Sequence, residues 1–81
     1  MLDNKILVNL YVLSLGKYFE LYLPVNEKVG NISKLLNTSL FENGIIAEKL
    51  SIINSLDGTI YNDNDIVRDT SIKNGSKLIL F

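Results

Sequence analysis

The sequence predicts an α+β domain in which a mixed sheet of four to five strands is packed on one face by a single helix. Three observations predict it. Two runs near the start, residues 5–13 and 17–23, alternate along their length in the manner of strands. Residues 29–42 then switch to helical spacing, with Val29, Ile32, Leu36 and Leu40 recurring at intervals of three and four. The chain closes on residues 76–81, where Leu78, Ile79, Leu80 and Phe81 form a strand too apolar for a sheet edge. With 81 residues there is room for one domain, taken as 1–81.

In the first run Ile6, Val8, Leu10 and Val12 share one parity and are assigned to the core. In the second, Phe19, Leu21 and Leu23 face inward while Tyr18, Glu20 and Tyr22 face outward. Setting core residues opposite core residues suggests the pairs Val12–Phe19, Leu10–Leu21 and Val8–Leu23. That register calls for an even-numbered loop, either Leu15-Gly16 alone or residues 14–17, with Gly16 free to adopt positive φ. Pro24 stops the second strand or sits at its edge.

The helix begins at Asn26 or Lys28, and Asn26 is the better N-cap by residue type. Leu35 widens its apolar stripe, Ser33, Lys34, Asn37 and Thr38 fall on the wet side, and Gly30 costs the first turn about 1 kcal/mol relative to Ala. Asn43-Gly44 is a stop signal, with Ile45 folding back on the last turn. Residues 45–49 connect to a strand at 50–53 with Leu50 and Ile52 inward, and 55–58 turn the chain. Residues 59–61 are long enough only for an edge strand, and 62–65 form a polar loop. Residues 66–72 make a short helical turn or Ω-like segment, and Asn74-Gly75 leads into the final strand. Burying that strand requires neighbours on both sides, so it lies in mid-sheet beside the first, with the helix as the crossover between parallel partners. This is the β-grasp arrangement.

Composition narrows the chemistry. There is no Cys and no His, hence no disulfide, thiolate, Cys-based cluster or imidazole base, and no cofactor or metal is expected. Net charge is −1 without a basic stripe, which argues against nucleic acid. No apolar run approaches a membrane span, and no signal peptide is evident at the N-terminus, so a cytoplasmic protein without direct membrane insertion is expected. The N-x-Ser matches at Asn31, Asn37 and Asn74 are then chance. Asp63 and Asp65 lack the further ligands and the spacing of a calcium loop, and they have no apolar pocket to separate their pKa values for acid–base work.

The order and spacing of elements resemble those of ubiquitin. The segment 66–80 carries the most specific part: an apolar residue, Asp69-Thr70-Ser71, Ile72, polar residues, then Leu78-Ile79-Leu80. Ubiquitin and the related sulfur carriers end in a Gly-Gly tail. This sequence stops at Phe81, so a modifier or sulfur carrier is the disfavoured alternative, and a β-grasp adaptor unrelated to secretion is another. Among ubiquitin-like proteins the chain is similar to the small YukD/EsaB-like proteins of type VII secretion systems in low-GC Gram-positive bacteria, and its Asn- and Ile-rich composition suits such a genome. The resemblance implies a non-enzymatic accessory or regulatory protein. Its partner would be a membrane-embedded secretion ATPase or its assembly, which would hold the chain peripherally at the inner face of the membrane. It brings no catalytic residues.

Independently of any family, outward parity gathers Leu7, Tyr11, Leu13, Tyr18, Tyr22, Ile53, Ile79 and Phe81 on the sheet face that the helix leaves uncovered. Apolar patches with aromatic anchors mark interaction surfaces, so this face is the candidate protein-binding site, for another protein or for a second copy in a homodimer.

Overall fold

A computed structural model describes residues 4–40 and 50–81 of the chain. Its elements are β1 (Lys5–Val12), β2 (Lys17–Pro24), α1 (Val29–Leu40), β3 (Ile52–Asn54), a single 3₁₀ turn (Val67–Asp69) and β4 (Lys77–Leu80). The strands form one mixed sheet in the order β2-β1-β4-β3. β4 runs parallel to β1 and antiparallel to β3, so the most apolar strand is central, as its sequence requires. The helix covers one face. Val8, Leu10, Val12, Leu78, Leu80 and Ile52 from the sheet meet Val29 and Ile32 of α1, with Val67 and Ile72 closing one end.

The strand faces follow the sequence parity, but the hairpin register does not follow the expected pairs. Val12 opposes Lys17, Leu10 opposes Phe19 and Val8 opposes Leu21, a slip of two residues that keeps every side chain on its assigned face. The loop is residues 13–16, in which the N–H groups of Leu15 and Gly16 both donate to the Val12 carbonyl. Gly16, at φ +62°, takes the left-handed last position of this four-residue loop, and that placement fixes the register.

The helix departs from expectation twice. It starts at Val29, and its first free N–H groups are capped by tertiary contacts rather than by Asn26. Val29 N–H donates to the Asp65 carbonyl (2.8 Å) and Gly30 N–H to that of Asp63 (3.0 Å). Asn26 instead accepts a bond from Arg68 Nη1. The second departure is the phase of the apolar stripe. Ser33 is buried and its hydroxyl donates to the Leu50 carbonyl, whereas Leu35 is 68% exposed. A small residue lets the chain at Leu50 come close to the helix, and the hydroxyl satisfies a buried carbonyl that a leucine could not. The expected stop at Asn43-Gly44 and the connector at 45–49 lie outside the described residues.

The remaining turns follow the sequence. Gly58 (φ +74°) ends the turn after β3, and Asn54 and Thr59 join backbones across it. Residues 59–61 supply only a single bridge, Ile60 to Ile53, rather than a fifth strand. Tyr61 is buried, its hydroxyl hydrogen-bonded to Asn54 Nδ2 (3.1 Å) and Ser71 Oγ (2.7 Å).

Candidate functional site

The sheet face opposite α1 is built in rows, because residues paired across antiparallel and parallel ladders stand side by side on the same face. Tyr11 of β1 pairs with Tyr18 of β2 on one side and with Ile79 of β4 on the other. Ile79 pairs with Ile53 of β3, which is bridged to Ile60. One unbroken line, Tyr18–Tyr11–Ile79–Ile53–Ile60, thus crosses the whole sheet. The two tyrosine rings meet at 4.6 Å between centroids with planes tilted by 49°, which holds both phenols in place. Tyr18 is 77% exposed, while Tyr11, Ile53 and Ile79 are half-buried by their neighbours.

Leu13 and Phe81 extend this line on one side. Leu13 N–H donates to the Leu80 carbonyl, and Phe81 exchanges both backbone bonds with Ser51. Both side chains are exposed. On the other side the register sets Glu20, Asn9 and Lys77 in a polar row. Ser55 continues it, its backbone N–H and its Oγ both donating to the Lys77 carbonyl. Leu7 and Tyr22 pair with each other beyond that row. The eight residues named from the sequence therefore share a face but do not form one patch. Leu13, Tyr11, Tyr18, Ile53, Ile79 and Phe81 are contiguous, and Leu7 with Tyr22 is set apart by a charged strip.

An open depression of about 420 Å³ lies where the two rows meet, lined by Asn9, Tyr11, Tyr18, Ser55, Lys77 and Ile79. It combines aromatic bodies, hydroxyl tips, one amide and one cation, a mixture suited to gripping a peptide surface. Ile60 belongs to the strip and is absent from the sequence assignment, since a three-residue segment shows no alternation from which to read a face. Its signal was the apolar residue just after a Gly turn. Leu56, 91% exposed at the tip of that turn, is a further apolar residue at the sheet's β3 end.

The loop 62–65 has a structural role. The carbonyls of Asp63 and Asp65 cap α1, and the Asp65 carboxylate accepts the Asn62 N–H at 2.9 Å. Among the described residues no cluster of three or more Asp, Glu, His or Cys is placed to hold a metal ion, and no helix is long and apolar enough to cross a membrane. Asp57, in the turn after β3, has a displaced pKa. The Thr59 N–H beside exposed Asp57 holds it below the usual carboxylate value.

No protein-family model matches the sequence, and no curated protein matches it. Solved structures do match in fold. An N-terminal ubiquitin-like domain determined in solution is 24% identical at a TM-score of 0.73, over 96% of this chain and 74% of that one. The ubiquitin of the archaeon Caldiarchaeum subterraneum is 14% identical at 0.72, over 94% of this chain and 90% of its own. A chain of the ESX-5 inner membrane complex is 17% identical at 0.71, and it covers 98% of this chain with only 21% of its own length. The fold is the ubiquitin-like β-grasp, as the order of elements predicted.

Proposed function

We propose that this chain is a protein-docking module, an accessory or regulatory component of a type VII secretion system that engages a membrane-embedded secretion assembly through the open sheet face. The observation that carries the docking reading is the strip Tyr18–Tyr11–Ile79–Ile53–Ile60 with Leu13 and Phe81 beside it. Aromatic and aliphatic side chains held in register by a sheet lose little rotamer freedom when covered, and the Glu20–Lys77 row sets polar groups at their margin. Four strands about 4.8 Å apart, carrying four side-chain rows about 7 Å apart, give a face of roughly 500 Å². Contact over that face alone buries about 1,000 Å² in total, the lower bound for a specific interface. A reversible association fits an accessory role.

The secretion assignment has two supports. One is the resemblance of the 66–80 segment and the element order to the YukD/EsaB-like proteins. The other is the likeness in fold, across nearly this whole chain, to part of a protein from an inner-membrane secretion complex. The protein would then act in the cytoplasm, brought to the membrane by its partner.

The test is a pull-down from detergent-solubilised membranes of the source cell, with tagged wild type run beside a Tyr11→Lys/Phe81→Lys variant whose fold is verified by circular dichroism. Recovery of a membrane ATPase assembly by wild type alone is the expected result. Equal recovery by the variant would move the interface off this face. Recovery of no membrane component by either would remove the secretion role and leave the docking surface without its assigned partner.

A further inference from the structure

A second surface stands apart from the open face. β2 is the outermost strand on one side of the sheet. The opposite edge is closed, because outside β3 the Asn54 N–H donates to the Thr59 carbonyl and the Tyr61 N–H to that of Ile52. Among the described residues no element pairs with the outer side of β2. The free groups can be identified. Val25 N–H donates to the Asn4 carbonyl, so in this antiparallel ladder the odd-numbered residues of β2 bond to β1 and the even-numbered ones point away. Among the described residues Tyr18, Glu20 and Tyr22 therefore each present an unshared N–H and C=O, and Pro24 presents a C=O that also accepts the Glu27 N–H at 3.4 Å, along an eight-residue strand with no bulge. A long, regular edge of this kind is a template for another strand.

The layer beneath is also unfinished. Phe19 and Leu21 carry core parity yet are only half-buried, unlike Val8, Leu10 and Val12 at 1% exposure in the next strand. Between Leu21 and α1 runs an apolar groove of about 390 Å³ whose walls include Leu21, Leu23, Ile32, Leu36 and the exposed Leu35. What would complete both layers is a strand with apolar side chains at alternate positions on the helix side. β2 itself has that pattern.

We propose that two copies of this chain associate edge to edge through β2, antiparallel about a two-fold axis at Leu21, into one continuous eight-stranded sheet. Any centre on a β2 residue keeps its free groups opposite one another, and those at Glu20 and Leu21 pair the most residues of Lys17–Pro24. A centre at Glu20 sets that carboxylate against its own copy, a like-charge pair. A centre at Phe19 sets Lys17 against the apolar Leu21 and pairs fewer residues. The centre at Leu21 opposes Glu20 to the other copy's Tyr22, Phe19 to Leu23 and Tyr18 to Pro24. Glu20 and Tyr22 then exchange backbone bonds twice over, and each Tyr18 N–H reaches a Pro24 carbonyl whose present bond, from the Glu27 N–H, is long at 3.4 Å. The two grooves lie side by side under the joined sheets, where Leu35 of each copy covers Phe19 and Leu21 of the other. About seven paired residues and two layers of side chains bury roughly 1,000 Å² in total, so the dimer is weak and concentration-dependent.

The chain has no cysteine, so a single introduced one reports the register directly. Leu21→Cys would face its own copy in a non-hydrogen-bonded pair with Cα atoms about 4.5 Å apart, within disulfide reach. Phe19→Cys and Leu23→Cys would each lie four strand positions, roughly 13 Å along the strand, from their copies. Mild oxidation is expected to cross-link Leu21→Cys at least tenfold faster than either control. Sedimentation of wild type between 10 μM and 1 mM should show the mass rising toward that of a dimer. Glu20→Pro, tolerated on an edge strand, and Leu35→Lys on the helix surface should each abolish the rise with an unchanged circular dichroism spectrum. A monomer at 1 mM with equal cross-linking at all three positions would overturn the proposal. So would a dimer that survives both of those substitutions and is lost with Tyr11→Lys, which would assign self-association to the open face. A monomer whose β2 edge binds only a foreign extended apolar peptide would equally overturn it.

Discussion

Gly30→Ala separates helix propensity from tertiary fit at one position. Gly30 lies in the first turn of α1 with ordinary helical φ, and in an exposed helix this change should stabilise by about 1 kcal/mol. Here an added Cβ would stand 2.8 Å from Asp63 Cβ and 3.1 Å from Asp63 Cα. The second contact is with backbone, so no rotamer change relieves it. The loop must retreat, and it is the loop whose carbonyls at Asp63 and Asp65 cap the Gly30 and Val29 N–H groups. Overpacking of this kind costs about 1–3 kcal/mol, and weakening two capping bonds adds about 0.5–1.5 kcal/mol each. Set against the propensity gain, the net is a destabilisation of about 1–5 kcal/mol. For a domain of this size each kcal/mol lowers Tm by roughly 4–8 °C. Thermal and urea melts of Gly30→Ala measure it, with Asp63→Gly and the double variant completing a cycle. The double variant should regain part of the loss, since Asp63 Cβ, the nearest atom, is gone. A Gly30→Ala protein as stable as wild type, or more so, would refute the argument, and strict additivity in the cycle would refute the assigned contact.

Ser33→Ala leaves the Leu50 carbonyl buried without its donor and should cost about 1–3 kcal/mol, read as a lowered urea midpoint with an unchanged slope. Tyr61→Phe removes the hydroxyl joining Asn54 to Ser71 and should lower stability by about 1–2 kcal/mol in the same assay, despite keeping the ring in the core. Leu78→Ala in the central strand should cost about 2–5 kcal/mol and yield a protein largely unfolded at moderate urea. Asp57 gives a pH signature. Its pKa is lowered in the folded state by the Thr59 N–H, so its contribution is present above the unfolded pKa and is lost as pH falls through the folded one, below about pH 4. An NMR titration should place its midpoint below that of an unstructured aspartate, and Thr59→Pro, which removes the donor, should return it.

The features legible in the sequence are those a short window determines. Strand parity in β1 and β2 is a period-two signal, and each buried or half-buried apolar residue assigned inward is found inward. The place of β4 followed from its need for two neighbours. The hairpin register was not legible, because Phe19, Leu21 and Leu23 are interchangeable under a slip of two and only the left-handed position of Gly16 distinguishes the choices. The contents of the candidate face were legible from parity, but its division was not. Whether Glu20, Asn9 and Lys77 fall in one row depends on that same register and on the β1–β4 pairing.

The helix shows how a local misreading hides a surface. Composition alone makes Leu35 core and Ser33 solvent, and makes Asn26 the cap. The partners that reverse all three come from residues 50–68, distant in sequence: the Leu50 carbonyl holds Ser33, the Asp63 and Asp65 carbonyls hold the first turn, and Arg68 occupies Asn26. These contacts fix the rotation of α1 about its axis, and that rotation leaves Leu35 bare beside Leu21 and Leu23. The β2 groove is therefore a consequence of how α1 is anchored at its other side. A substitution at Gly30 or Ser33, neither of which lies at the β2 edge, should weaken association through that edge by letting Leu35 turn toward the core. The same substitution should leave the strip around Tyr11, which no part of α1 supports, unaffected.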